Sequence, residues 1–185
     1  MRKEKNYTII YITIFIALIM ILSVIGFLWS GGDSSQYKYK KHSFSYQNGD
    51  WTTRINNKVL LFRYLPDEMA NLTIPPETSS LLNNARMAYV SYNPDEKSEE
   101  MGLAQYNLAM NLETDTRFLV NAFTAPNENN ISVITCSNAT AFIPVIILKK
   151  NENNNSITLN NSCIVLEGRP LFVADRLVYD VYGII

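Results

Sequence analysis

Residues 87–124 read MAYVSYNPDEKSEEMGLAQYNLAMNLETDTRFLVNAFT, and the succession of patterns in this stretch decides the fold class. Met87 to Tyr92 is a short strand-forming run that stops at Asn93-Pro94, a turn signal. From about Ser98 to Glu113 the apolar residues Met101, Ala104, Leu108 and Leu112 recur at helical spacing. Glu99 and Glu100 occupy the first turn, where the helix dipole favours negative charge. Arg117 to Thr124 then reads as a second strand. Strand, helix and strand in this order predict a right-handed crossover joining parallel neighbours in a sheet.

Working outward, the residues before this unit predict an antiparallel meander. Phe44 and Tyr46 alternate with polar neighbours, Asn48-Gly49 is a hairpin signal, and Trp51, Thr53 and Ile55 resume the alternation. Asn56-Asn57 turns the chain again into VLLFRY, residues 59–64. A short helix over Ser79 to Arg86 precedes the crossover. After it come four short strand candidates: Ile131 to Cys136, Ile143 to Lys149, Ser156 to Leu159 and Cys163 to Glu167. Pro170 fits the first turn of a last helix reaching Tyr182, with Phe172, Val173, Leu177 and Val181 on one face. The expectation is an α/β (mixed α+β) domain with one mixed sheet and two longer helices.

The N-terminal region has a different character. Between Tyr7 and Trp29 there is no charged residue, and the run is dominated by Ile, Leu, Phe, Val and Met. At 1.5 Å per residue, about 22 such residues reach about 33 Å, enough for the hydrocarbon core of a bilayer. Tyr7, Tyr11 and Trp29 stand near the ends, where amphipathic rings favour the interface. The apolar run exceeds the 7 to 15 residues or so of a cleaved signal peptide. The expected organisation is therefore a cytoplasmic tail over 1–6, a transmembrane helix over 7–29, a tether over 30–42 and an extracytoplasmic domain over 43–185. That domain has about 150 residues, the usual size of one folding unit. Arg2, Lys3 and Lys5 precede the helix but Lys38, Lys40 and Lys41 follow it, so basic residues orient it only weakly.

The cysteines and sequons decide the side. Cys136 and Cys163 make a pair with none left over, which suits a structural disulfide in an oxidising compartment. Closing a loop of about 28 residues adds roughly 3.5 kcal/mol in the chain-entropy model. Asn-x-Ser/Thr triplets begin at Asn71, Asn130, Asn138, Asn154 and Asn160, candidate glycosylation sites on an outward-facing domain.

Composition excludes several activities. The formal net charge is −1, and setting aside Arg2, Lys3, Lys5 and Glu4 leaves 13 basic against 16 acidic residues. A nucleic-acid binder shows a basic face instead, so nucleic acid is not an expected partner. The single histidine, His42, lies beside the tether and reads as a linker residue. Imidazole-rich metal sites are impossible, and no catalytic, metal or cofactor residue is predicted. Dinucleotide, Walker and nucleophile-elbow loops are absent. The carboxylate pairs Asp67-Glu68, Asp95-Glu96 and Glu99-Glu100 read as turn and helix-start residues, since neighbours in sequence do not converge. Asp175, Arg176 and Asp180 read as a solvated helix face. The segment SNATAFIP, Ser137 to Pro144, reads as a turn shielded by packing or by a glycan at Asn138, or else as a pinned recognition loop.

Three stretches, CSNATAFIPVIILKK from Cys136, NSCIVLEG from Asn161 and VADRLVYDVYGII from Val173, resemble small, uncharacterised membrane-anchored proteins of archaea. The resemblance extends to the opening hairpin NGDWTTRINNKVLLFRY. It implies an archaeal cell envelope and carries no site residue. The expected function is a non-catalytic envelope module, held at a lipid bilayer and docking to another membrane or surface component. The alternatives are an extracytoplasmic carboxylate-based hydrolase and a thiol redox protein.

Overall fold

A computed structural model describes residues 7–29, 35–96, 99–114 and 116–185, with only the backbone described at 7–9 and 26–29. The fold is mixed α+β, with two sheets and four helices among the described residues. Helix α1 spans Tyr7–Trp29 and forms a unit of its own; the second unit runs Gln36–Ile185. Among the described residues no helix is long and apolar enough to cross a membrane. The expected span takes in residues 7–9 and 26–29 and so lies partly outside the described side chains.

The first sheet is antiparallel, in the order β1 (Gln36–Tyr39), β2 (His42–Gln47), β3 (Asp50–Ile55) and β4 (Lys58–Phe62). Its hairpins follow from local chemistry. Asn48 and Gly49 have φ of 54° and 92°, Asn56 and Asn57 of 49° and 65°. Two-residue hairpins of this kind need positive φ at both positions, which Asn and Gly tolerate best. The strand β1 lies in the stretch expected to be tether. Tyr37 and Tyr39 there point inward onto the core, Tyr37 against Phe44 and Trp51, so the tyrosines outweigh the intervening Lys38.

The second sheet replaces the single sheet expected from the sequence. Its order is β6 (Phe118–Phe123), β5 (Met87–Tyr92), β7 (Val145–Lys150), β9 (Cys163–Gly168) and β8 (Ser156–Asn160). The strands β5, β6, β7 and β9 are parallel, and β8 is antiparallel to β9. Helix α3 (Glu99–Leu112) connects β5 to β6, as the spacing predicts, and α2 (Glu77–Asn84) precedes β5. The expected strand at Ile131 to Cys136 does not form. In its place Val133 makes an isolated bridge to Phe123, and Cys136–Asn138 is a 3-10 turn. This segment has to carry the chain from β6 across β5 to β7, so its Ile134 and Ala139 lie over the sheet beside Val145, Ile147 and Cys163. A disulfide between Cys136 and Cys163, with Cα atoms 5.2 Å apart, fastens it there.

Helix α4 (Pro170–Val181) is where the expectation fails most clearly. Asp175 and Arg176 are buried rather than solvated, along with every residue from Pro170 to Tyr179. The reason is layering: α3 and α4 pack side by side between the two sheets, and one core joins Phe44 and Phe62 of the first to Val90, Ile146 and Ile164 of the second. Tyr179 stacks on Phe62 with centroids 4.0 Å apart and donates its hydroxyl to Tyr64 O at 2.8 Å. The buried polar groups close the outer edge of β4. Asn111 accepts from Leu61 N at 2.9 Å and donates to Leu61 O at 2.7 Å, while Asp175 Oδ2 accepts from Arg63 N at 2.7 Å and Tyr64 N at 3.0 Å. Arg176 donates Nε to Leu72 O at 2.8 Å, and its Nη1 lies 3.7 Å from Asp180.

The carbonyls ending α3 are met by cations and a hydroxyl from three directions. Arg117 donates Nε to Leu112 O at 2.7 Å, and Lys58 Nζ and Tyr182 Oη donate to Asn111 O at 2.8 and 2.7 Å. Positive charge at a helix C-terminus both satisfies carbonyls and opposes the dipole.

At the end of β9, Gly168 has φ of +147°, and a Cβ there would lie 3.0 Å from Asn155 Cα. Asn155 cannot retreat freely, because its Oδ1 accepts from Arg169 N at 2.9 Å. Gly168→Ala should therefore cost about 2 kcal/mol or more, read as a lowered midpoint in urea with unchanged slope.

Candidate ligand cleft

Parallel strands end together, and the loops that leave them form the crevice where open α/β sheets place their ligands. Two hollows occupy that position here. The larger, about 830 Å³, opens at the ends of β5 and β6 and is lined by Tyr92, Pro94, Asp95, Glu99, Phe123, Pro126, Asn127, Glu128 and Asn129.

Each wall follows from its sequence. Tyr92 and Phe123 are the last residues of their strands, paired in register, and their rings meet edge to face with centroids 5.0 Å apart. Asn93 Oδ1 accepts from Asp95 N at 3.1 Å, a local turn that Pro94 favours. After β6, the Asn127 side chain holds its own loop. It accepts from Asn129 N at 3.1 Å and Ile131 N at 3.0 Å and donates to Ile131 O at 2.8 Å. Glu128 is carried on that loop, and Glu99 begins α3. The three carboxylates Asp95, Glu99 and Glu128 are solvent-exposed, and no basic residue stands among the described lining. Lys97 and Ser98, in the same connection, lie outside the described residues.

The smaller hollow, about 410 Å³, is lined by Asn93, Glu96, Thr124, Thr135, Cys136, Ile147, Leu148 and Lys149. It sits where β5 and β7 lead to opposite sides of the sheet, and Glu96 Oε2 accepts from Lys150 N at 3.2 Å.

The carboxylate pairs thus behave differently from their expected roles as isolated turn residues. One member of each of two pairs, Asp95 and Glu99, shares a cleft with the more distant Glu128. Only the loops after two adjacent strands bring them together, so the nearest signal in the sequence was the crossover itself. Asp67 and Glu68 stay outside the cleft: Asp67 accepts from the Tyr37 hydroxyl, and Glu68 accepts from Leu65 N at 2.7 Å. Among the described residues no group of three or more His, Cys, Asp or Glu side chains is placed to hold a metal ion.

The remaining candidates are scattered. His42 is half-buried in β2, and burial, with Lys41 and Lys40 nearby, lowers its pKa. The sequon residues Asn71, Asn130, Asn138, Asn154 and Asn160 are all exposed. In the SNATAFIP segment Asn138 Oδ1 accepts from Thr135 N at 2.9 Å, and Phe142 is 84% exposed. Asp175 Oδ1, Arg176 Nη1 and Thr78 Oγ1 are buried without a hydrogen-bond partner, but none of them lines a hollow described above. No protein-family model, curated protein or solved structure matches the chain.

Proposed function

We propose that the chain is a membrane-anchored, extracytoplasmic binding module of the archaeal cell envelope, docking to a basic segment of another envelope component. The observation that carries this reading is the cleft after β5 and β6. Three carboxylates and an aromatic pair line it, with no cation among its described walls. Such a site offers a positive group both charge attraction and a ring face. The uncharged run from Tyr7 to Trp29 supports the anchor. The disulfide and the five exposed sequon asparagines support an outward-facing domain.

A decalysine peptide titrated onto the full chain in lipid nanodiscs tests the docking. Combined Asp95→Asn, Glu99→Gln and Glu128→Gln should weaken binding about tenfold, since each exposed charge pair contributes up to about 1 kcal/mol. Neutralising Glu77, Glu113 and Glu152 instead should change it little. Equal losses from the two triple variants would defeat the proposal.

The same convergence favours a carboxylate hydrolase as a second reading. A general acid of that kind needs a carboxyl shielded from water, whereas Asp95, Glu99 and Glu128 are all exposed. Hydrolysis of a chromogenic glycoside that disappears in the cleft triple variant would reverse the preference. No feature comparable to the cleft supports a thiol redox role.

A further inference from the structure

The charges of the second unit are segregated, and the strand β5 shows it along its own length. Arg86 precedes it, and Asp95 and Glu96 follow it. The carboxylate end holds the cleft described above. The opposite end gathers cations.

Topology builds that end. In the meander of the first sheet, the β1–β2 turn at Lys40 and Lys41 and the β3–β4 turn at Asn56 and Asn57 fall at the same end of the strands. Lys38 and Arg54 lie just inside these turns, on the outer face of the sheet, since Tyr37, Tyr39 and Thr53 turn inward. A hollow of about 790 Å³ joins Asn56 and Asn57 to Met110, Phe118 and Tyr182, and another of about 630 Å³ joins Phe118 to Arg86. One surface therefore runs from the first sheet to the second. Both turns are fastened to the helices between them: Lys40 Nζ donates to Ile184 O at 3.3 Å, just past α4, and Lys58 Nζ to Asn111 O at 2.8 Å, near the end of α3.

This surface mixes charge with apolar area. Lys38, Lys40, Lys41, Arg54 and Arg86 are all exposed, and none of them makes an ion pair among the described residues. Phe118 and Met110, 59% and 45% exposed, stand in the same hollows. Glu113 is the one carboxylate lining either hollow among the described residues, and Asp115 lies outside them.

We infer that this basic end docks on the anionic headgroups of a bilayer, with Phe118 and Met110 entering the headgroup layer, and so turns the acidic cleft away from the membrane. The inference rests on the membrane anchor proposed above, and the anchor is what selects lipid over other anions. Six residues, 30–35, join α1 to β1, a reach of at most about 24 Å. A domain on so short a lead is kept beside headgroup charge. The reach also exceeds the length of β1, about 13 Å, so the lead can double back along that strand and let its basic end meet the surface. Each cation held there favours docking about fivefold at physiological salt. Repulsion of Asp95, Glu99 and Glu128 from the same headgroups acts in the same sense, and it leaves the cleft open to a basic partner arriving from outside.

The native cysteines are paired, so an introduced one can be labelled alone. Phe118→Cys in the full chain, carrying an NBD fluorophore, would be reconstituted in nanodiscs of half phosphatidylglycerol and half phosphatidylcholine with a headgroup nitroxide lipid as quencher. Quenching at residue 118 should be strong. It should fall at least about threefold in phosphatidylcholine discs, in about 1 M NaCl, and with Lys41→Gln, Arg54→Gln and Arg86→Gln combined. The same label on Asn153→Cys, in the exposed loop after β7 at the other end of the sheet, should stay unquenched throughout. Equal quenching at 118 and 153, or quenching at 118 that ignores lipid charge, overturns the docking. So does a label at 118 that is shielded from water yet unquenched, the result expected if another protein or a second copy covers this end. A chain that fails to enter the discs removes the anchor and the docking together. One that enters with residue 118 unquenched removes the docking and leaves the anchor and the cleft reading standing.

Discussion

Urea unfolding measured from pH 4 to pH 9 should show stability falling as pH rises to about 8, and Asp175→Asn should remove most of that fall. Asp175 is 1% exposed, and burial raises its pKa to about 8. The hydrogen bonds from Tyr64 N and Arg63 N oppose the shift without cancelling it, and Asp50 adds to it. Below the ordinary value of 3.8 both folded and unfolded chains hold the proton, and the group contributes nothing to the balance. Between there and about 8 the unfolded chain has released it and the folded chain has not, so each added pH unit favours unfolding by up to roughly 1.4 kcal/mol. Above about 8 the cost is constant. Across the window it is on the order of several kcal/mol, a large part of a typical domain's stability. Asparagine reproduces the protonated acid: one oxygen still accepts from Arg63 N and Tyr64 N, and no charge is buried. The variant should come closest to the parent at pH 4 and exceed it by a margin that grows up to about pH 8. His42, whose lowered pKa makes stability fall toward acid, remains in both proteins and cancels in the comparison. Equal pH slopes in the two would show that Asp175 folds ionised.

The second large effect is expected at the disulfide. Replacing Cys136 and Cys163 together by alanine should cost roughly 3.5 kcal/mol in the chain-entropy model, lowering Tm by about 10 °C for a domain of this size. The loss should be local before it is global. Cys163 is buried at the start of β9, whereas Cys136 lies on the surface of the irregular segment that crosses β5. With the bond gone, Ile134 and Ala139 retain only a small cluster with Val145, Ile147, Tyr89 and Val165. Amide exchange should therefore rise over residues 127–144 while β7 and β9 stay protected. Unchanged exchange there, with a Tm shift of only a degree or two, would mean that side-chain packing alone holds the segment.

How far the fold was legible depended on whether local pattern and tertiary burial agreed. They agree in β5, α3 and β6, where helical spacing lies between two strand runs, and at Asn48-Gly49, where a hairpin needs residues that accept positive φ. They part company at α4. A helix placed between two sheets has no solvated face, so Asp175 and Arg176 are buried, with backbone partners supplied by Arg63 and Tyr64 just after β4 and by the chain near Leu72. No one-dimensional pattern announces those partners, which lie more than a hundred residues away. The strand β1 was hidden because lysines alternate with its inward tyrosines, and Ile131 to Cys136 imitated a strand because β-branched residues also suit an extended crossover. The cleft was the least legible part. Glu128 stands in a loop of asparagines with nothing to mark it, and only the parallel register of Tyr92 with Phe123 brings it near Asp95 and Glu99.

The central position of α4 bears on how the domain is made. Both sheets precede it in the chain, and the core they share with α3 is completed only by this segment. Until residues 170–181 have left the ribosome, the earlier strands and α3 lack part of their common filling. Folding of the unit must therefore wait for nearly all of it to be synthesised, and the half-made intermediate, with both sheets partly bare, is the species that chaperones must shelter.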